Sequence, residues 1–314
     1  MRRLVSTGRL GLVIGLSVTL VGCGQFQGLK AKKAFKEANV FYQQQDYRRA
    51  AARYEEAVKS DPNLTVAYFY LGNSYDNLYK PARAGEAEND ALLQKAIENY
   101  KIAADRETDP KMKKLSLEYL VSAYGAEKLN QPEMAEPLIN RMIEIDPSDP
   151  ANYFALAKLY EDGGRYDEAE AILNKARDAK PDDPAVYMQL AGFYNRQGEF
   201  DKTIESLQAR AEKEPTNPEA HYTIATFYWD KAYRDFRLND QQKADYAKSG
   251  LVAIDKAIQI NPDYMEAVTY RGLLLRVQAA IEKDAGRQKQ ILNEADKMQQ
   301  RAGELRKKKA AGLG

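Results

Sequence analysis

A period of 34 residues in the second half of the chain limits the folds that this sequence can adopt. Pro147, Pro181 and Pro215 follow one another at that spacing, each at the end of an amphipathic helical pattern. The segment that begins at Tyr153 recurs at Tyr187, with Tyr, Leu-Ala and Tyr in matching places. A repeat of this length indicates a supersecondary unit that is stacked several times, because one copy cannot bury its own apolar face.

Each copy reads as two helices joined by a short turn. The turns contain Gly164 in one copy and Gly198 in the next. Asp149, Asp183 and Asn217 each stand before a proline, which is typical of the first residues of a helix. The sequence lacks the sustained alternation of polar and apolar residues that marks a half-buried strand. We therefore predict paired helices throughout the repeats.

The repeat resembles that of the tetratricopeptide family, which carries an aromatic residue at position four, Leu-Ala or Leu-Gly at seven and eight, and Tyr at eleven. Copies with departures from this pattern are 31–64, 65–110, 114–149, 218–264 and 265–308. The resemblance implies an all-α fold, a right-handed α-solenoid of about seven antiparallel helix pairs (a TPR superhelix). We predict one solenoid domain over 31–308 that ends in a capping helix.

Several segments depart from the regular repeat. Insertions at about 77–92 and 230–246 lengthen two copies, and we expect the first to be partly flexible and the second to extend both of its helices. Pro137 falls inside a predicted helix, where the loss of a backbone hydrogen bond favours a kink. Tyr228, at position eleven, is predicted to be buried, whereas its neighbour Trp229 is predicted to face a groove.

The first 22 residues resemble a bacterial lipoprotein signal peptide. A basic stretch ends at Arg9, and the apolar run 10–21 that follows is shorter than the ~20 residues that span a bilayer. The run ends in Leu-Val-Gly-Cys, which resembles a lipobox. The resemblance implies cleavage before Cys23, acyl chains on Cys23, a tether over 23–30 and a position at the periplasmic face of a membrane, with Gly24 favouring the outer membrane. An ordinary cleavage site beside an incidental thiol is the alternative.

Composition argues against several kinds of site. The single Cys cannot form an internal disulfide, and one Cys with one His cannot supply a zinc site. A net charge of +1 gives no general attraction to nucleic acid. The sequence has no phosphate-binding loop, nucleophile elbow or paired-Cys motif. His221 stands where other copies carry Tyr, so a packed structural role is favoured. We predict no catalytic residue, metal or cofactor and no nucleic-acid partner.

In the tetratricopeptide family, the first helix of each pair lines a concave groove that binds partners. The residues at those positions are largely aromatic or amide-bearing, which suits an extended peptide or a partner helix. The candidate partner-binding residues are Phe35, Asn39, Tyr42, Phe69, Asn73, Phe154, Lys158, Met188, Asn195, Tyr222 and Trp229. The alternative for each is packing against the neighbouring repeat. The groove lacks the Lys-and-Asn carboxylate clamp of chaperone-binding relatives, because position five holds Phe35 and Phe69, so a chaperone C-terminus is not expected to bind.

These observations predict a non-catalytic scaffold or adaptor lipoprotein that mediates protein–protein interactions in the bacterial envelope and assists the assembly of an envelope complex. The predicted partners are envelope proteins or peptides, and the membrane through the acyl chains on Cys23. A periplasmic receptor for a small ligand or glycan is the first alternative, because a groove rich in Tyr would also serve it. An envelope hydrolase is the second.

Overall fold

The computed structural model describes residues 18–312, with side chains from residue 26 onward. These residues form fourteen α-helices and one short 3₁₀ helix, and no strand occurs among them. The helices are arranged as seven consecutive pairs, as the repeat predicts, and the fold is an all-α solenoid. Contacts divide the chain into two compact units, Met1–Pro147 and Ser148–Gly314, which we call the N-terminal and C-terminal units.

The N-terminal unit contains three helix pairs in which each helix packs against the next along the chain. Its helices are α1 (Val18–Gln43), α2 (Tyr47–Ser60), α3 (Thr65–Leu78), α4 (Ala87–Arg106), α5 (Pro110–Tyr124) and α6 (Pro132–Ile145). Pro137 lies inside α6, and the helix continues before and after it.

The C-terminal unit contains four helix pairs. Its helices are α7 (Pro150–Asp162), α8 (Tyr166–Ala179), α9 (Pro184–Arg196), α10 (Phe200–Lys213), α11 (Pro218–Arg234), α12 (Asp240–Ile260), α13 (Met265–Ile281) and α14 (Ala285–Ala310). The predicted capping role suits α14, which packs on α13 through Ala295, Ala302 and Leu305 and is otherwise largely polar.

The predicted N-terminal caps are present. The carboxylate of Asp183 accepts a hydrogen bond from the Ala185 backbone N–H at 2.9 Å, and the Asn217 side chain accepts one from Glu219 at 3.0 Å. The proline that follows each cap has no N–H to leave unsatisfied in the first turn. These Asp-Pro and Asn-Pro pairs therefore determine where α9 and α11 begin.

Paired helices approach closely where their side chains are small. Gly72 of α3 faces Tyr100 of α4, and a Cβ atom at Gly72 would lie 2.9 Å from Tyr100 Cδ1 and 3.0 Å from the Ala96 carbonyl oxygen. A backbone oxygen at that distance cannot move aside as a flexible side chain can. Gly72 is therefore required by the packing of α3 on α4.

Gly72→Ala should destabilise the protein by about 1–3 kcal/mol, because overpacking outweighs the helix propensity gained. Gly303 of α14 is the matched control, since a Cβ there meets nothing within 4 Å. Gly303→Ala should stabilise by about 0.5–1 kcal/mol. Urea unfolding of both variants measures the difference, and a Gly72→Ala variant as stable as Gly303→Ala would contradict the close approach.

The first insertion is more ordered than its composition predicts. Asn89 of α4 is buried, and its amide oxygen accepts from the Lys80 N–H at 2.9 Å while its amide nitrogen donates to the carbonyls of Lys80 and Arg83 at 3.1 and 3.0 Å. A 3₁₀ helix, Pro81–Arg83, fills the middle of the loop. One buried amide thus ties this loop to α4.

The second insertion lengthens both flanking helices, as predicted. Helices α11 and α12 have 17 and 21 residues, against 13 and 14 for α9 and α10. A capping box, in which Asn239 and Gln242 each accept a hydrogen bond from the other's backbone N–H, determines the start of α12.

The signal-peptide prediction concerns residues that are largely outside the described part. Residues 1–17 and the side chain of Cys23 lie outside it. Among the described helices, none is both long enough and apolar enough to cross a membrane.

Candidate partner-binding surfaces

In the N-terminal unit, the helices α1 and α3, each the first of its pair, carry a half-exposed group of aromatic rings. Tyr70 of α3 lies between Phe35 and Tyr42 of α1, with ring centroids 6.1 and 5.5 Å away and interplanar angles of 63° and 79°. Edge-to-face contacts of this kind stabilise aromatic clusters beyond the area they bury. We call Phe35, Asn39, Tyr42 and Tyr70 the N-terminal aromatic surface.

Hydrogen bonds hold the polar groups of this surface in place. The Tyr42 hydroxyl donates to Asn73 Oδ1 at 2.6 Å, and the Tyr54 hydroxyl donates to Asn39 Oδ1 at 2.6 Å. Burial, together with the nearby hydroxyls of Tyr119, Tyr47 and Tyr70, raises the pKa of Tyr42 to about 12. The Tyr42 hydroxyl is therefore neutral and remains a donor at physiological pH.

Two predicted groove residues of α3 belong to the core instead. Phe69 is only 4% exposed and Asn73 only 3%. Phe69 is covered by Tyr100 and Tyr119, whose ring centroids lie 5.8 and 5.3 Å from its own. Asn73 accepts hydrogen bonds from the side chains of Tyr42 and Asn77. Both residues support the aromatic surface from beneath, and the expectation that they contact a partner directly is corrected.

In the C-terminal unit, a second aromatic group joins two predicted residues. Tyr270 of α13 lies between Tyr222 and Trp229 of α11, with ring centroids 5.3 and 5.4 Å away. Tyr264 extends the group at one end, 5.2 Å from Tyr222, and Tyr233 stacks on Trp229 at 5.1 Å with an interplanar angle of 10° at the other. We call these five residues the C-terminal aromatic surface.

The C-terminal aromatic surface is only partly packed. Tyr222, Trp229 and Tyr270 are half-buried against the unit's core, whereas Tyr233 is 66% exposed. Burial and the adjacent hydroxyls of Tyr270 and Tyr264 raise the pKa of Tyr222 to about 12. The surface thus offers aromatic faces and neutral hydroxyl groups, which suit uncharged backbone and apolar side chains.

The remaining candidates lie on α7 and α9. Phe154 is half-buried, and Lys158 is exposed and paired with Asp162 one turn later. Met188 is partly exposed, with its sulfur 3.0 Å from Arg210 Nη1, and Asn195 is exposed. These four side chains are accessible or half-accessible, but they do not form an aromatic group like those of α1–α3 and α11–α13.

Sequence reasoning missed Tyr70 and Tyr270, which connect the predicted residues. Both stand one residue after the fifth position of their repeats, next to Phe69 and Thr269. The signal that could have found them is the recurrence of Tyr at position six on α3 and α13. Tyr228, which was predicted to be buried, is only half-buried, as is its neighbour Trp229.

The described residues contain no group of three or more His, Cys, Asp or Glu side chains that could hold a metal ion. Burial and nearby Lys256 lower the pKa of His221, which keeps its imidazole neutral at physiological pH. What the two surfaces present is contact area rather than paired acid–base groups.

Comparisons with known proteins agree with this architecture. Two models of the tetratricopeptide repeat match the chain, one over residues 35–100 and the other over 127–192. No curated protein sequence matches the chain. Solved structures that match the chain include the C-terminal part of a TPR repeat-containing protein from Cytophaga hutchinsonii, at 14% identity and a TM-score of 0.48 over 82% of this chain and 99% of that one.

Two further solved structures that match the chain are tetratricopeptide repeat proteins. One, from Parabacteroides merdae, is 15% identical with a TM-score of 0.46 and covers 85% of this chain and 99% of that one. The other, YrrB, described as a TPR protein with an unusual peptide-binding site, is 19% identical with a TM-score of 0.35 and covers 80% of this chain and 96% of that one.

Proposed function

Since this chain is a tetratricopeptide repeat protein, and so a scaffold for protein–protein interactions, we propose that it is a non-catalytic adaptor lipoprotein of the bacterial envelope. It holds an envelope protein or peptide and thereby assists the assembly of an envelope complex. The observation that carries the proposal is the C-terminal aromatic surface, where Tyr222, Tyr270 and Trp229 are in ring contact and remain half-exposed.

The composition of this surface favours a protein ligand. Tyr and Trp supply large contact areas at a small cost in side-chain entropy and are enriched among the residues that dominate binding energies. Neutral Tyr hydroxyls donate hydrogen bonds to backbone carbonyls, which every extended peptide offers.

Position 229 supplies two tests: cross-linking from a residue placed there, and fluorescence of Trp229 itself, which is the only Trp in the chain. A photo-reactive amino acid at position 229 should cross-link one envelope protein in intact cells, whereas the same group at Tyr166 of α8, an exposed aromatic outside both surfaces, should not. Addition of the purified partner should change Trp229 fluorescence. Tyr233→Ser should weaken this binding without lowering the melting temperature, because Tyr233 is mostly exposed. Equal cross-linking from positions 229 and 166 would contradict the proposal.

The membrane anchor is the second part of the proposal, and it is supported by the Leu-Val-Gly-Cys sequence that ends at Cys23. Two or more acyl chains give stable membrane attachment, where one chain is marginal. Cys23→Ser should leave a folded protein that no longer sediments with membranes, and labelled palmitate should be incorporated into the wild type only. Label that persists on Cys23→Ser would overturn the anchor.

A further inference from the structure

A cleft of about 670 Å³ lies in the C-terminal unit, with α10 and α12 along its sides and α11 at its base. His221 and Ile224 of α11 line the base, and Val252 and Ile260 of α12 are exposed at its wall. Its lining shares no residue with the C-terminal aromatic surface. The proposed scaffold function therefore leaves this cleft unused.

The preceding repeat contains the equivalent cleft, and it is much smaller. That cleft, between α8 and α10, has a volume of about 210 Å³. All of its lining residues have counterparts in the larger cleft, at a spacing of 34 residues for α8 and α9 and of 47 for α10, because the second insertion intervenes. The two clefts are thus the same structural position with different side chains.

Two differences between the repeats shorten the side chains that line the larger cleft. Tyr187 in the smaller cleft donates a hydrogen bond from its hydroxyl to the Pro181 carbonyl at 2.7 Å, and its counterpart is His221, a shorter side chain. Among the described residues, no hydrogen bond from His221 to the corresponding Pro215 is found, although both line the cleft. Arg177 is replaced by Ala211, which removes a long side chain.

Two further substitutions change the chemistry of the cleft. Glu205 is replaced by Val252, which adds an apolar side chain to the wall, and Ala209 is replaced by Lys256, which adds a cation. Lys256 is exposed and makes no ion pair with any described residue. Lys256 is also the charged neighbour that, after burial, most lowers the pKa of His221, so the two lie close together. Glu212, on α10, is the acidic residue of the lining.

We propose that this cleft binds a small amphipathic carboxylate, such as a fatty acid. The carboxylate pairs with Lys256 beside the His221 imidazole, and the apolar chain lies along Ile224, Val252 and Ala253. The volume is in the range of small-molecule sites, which combine apolar walls with a few polar groups that orient the ligand. An acyl chain without the carboxylate would leave Lys256 unpaired, and a carboxylate without the chain would leave the walls solvated.

The test is isothermal titration calorimetry with decanoate below its micelle concentration, on the full chain carrying Cys23→Ser and purified without detergent. The wild-type cleft should bind one equivalent saturably. His221→Tyr and Lys256→Ala restore the residue types that the smaller cleft carries at the equivalent positions. His221→Tyr should weaken binding by narrowing the base of the cleft, and Lys256→Ala should weaken it roughly tenfold or more through the loss of a charge-assisted hydrogen bond.

Neutral decanol and a distant lysine provide the controls. Decanol should bind more weakly than decanoate to the wild-type cleft and equally to wild type and Lys256→Ala, whereas Lys289→Ala, at an exposed position of α14 outside the cleft, should leave decanoate binding unchanged. No saturable binding, equal binding of decanol and decanoate, or unchanged binding by both cleft variants would each overturn the proposal. If a thermal melt shows that His221→Tyr does not fold, the Lys256→Ala result tests the proposal, because the Lys256 side chain is exposed and its removal should not disturb the fold. The scaffold function is tested separately at Trp229.

Discussion

Tyr100→Ala should destabilise the N-terminal unit by about 3–5 kcal/mol, through lost transfer free energy and the cavity left behind. Tyr100 of α4 is completely buried, with its ring 5.8 Å from Phe69, 5.3 Å from Tyr119 and directly against Gly72. In a stack of repeats, each pair is stabilised by its neighbours, so a cavity between α3, α4 and α5 weakens two interfaces. Urea unfolding followed by circular dichroism measures the loss.

Two variants separate packing from the other roles of Tyr100. Tyr100→Phe keeps the ring and removes only the hydroxyl, which donates to Asp76 Oδ2 at 3.3 Å, so it should cost about 1 kcal/mol. Tyr166→Ala removes a ring of α8 that is 47% exposed and should stay within about 0.5 kcal/mol of wild type. A Tyr100→Ala variant as stable as Tyr166→Ala would mean that the α3–α5 core is not packed around this ring.

The repeat predicted most of the fold because its signals are local. Helix starts are encoded by adjacent residues such as Asp183-Pro184, and the position of Gly72 follows from the eighth position of the repeat. Local rules could not predict that the first insertion is ordered. Its order depends on Asn89, one buried amide whose three backbone partners lie six to nine residues earlier.

The candidate surfaces were harder to predict than the helices. Position within a repeat placed Tyr222 and Trp229 on one helix correctly, but the ring that joins them, Tyr270, comes from the next repeat. The same cause contributes at Phe69, which the repeat pattern places in the groove. Tyr119 of the next repeat covers this ring, together with Tyr100 of its own repeat. Exposure in a solenoid is decided by the neighbouring copy, whose side chains differ from one repeat to the next.

Lys128→Ala should destabilise the N-terminal unit by about 3–5 kcal/mol, because it leaves a buried carboxylate without its cation. Lys128 follows α5, and its ammonium group lies 2.6 Å from Asp76 Oδ1 on α3. The side chains of Asp76 and Lys128 are only 8% and 18% exposed, so water screens and solvates them poorly. The other oxygen of Asp76 accepts the Tyr100 hydroxyl, which cannot replace a positive charge.

The double variant Asp76→Asn/Lys128→Ala distinguishes a buried unpaired charge from lost packing. Asn at position 76 carries no charge that would need a cation, and it can still accept the Tyr100 hydrogen bond. The double variant should therefore recover more than half of the stability that Lys128→Ala loses. Lys158→Ala, which removes the exposed Lys158–Asp162 pair at 66% and 60% exposure, should cost less than about 1 kcal/mol. If the double variant is no more stable than Lys128→Ala alone, then the lysine stabilises the turn after α5 by packing its aliphatic stem rather than by neutralising Asp76.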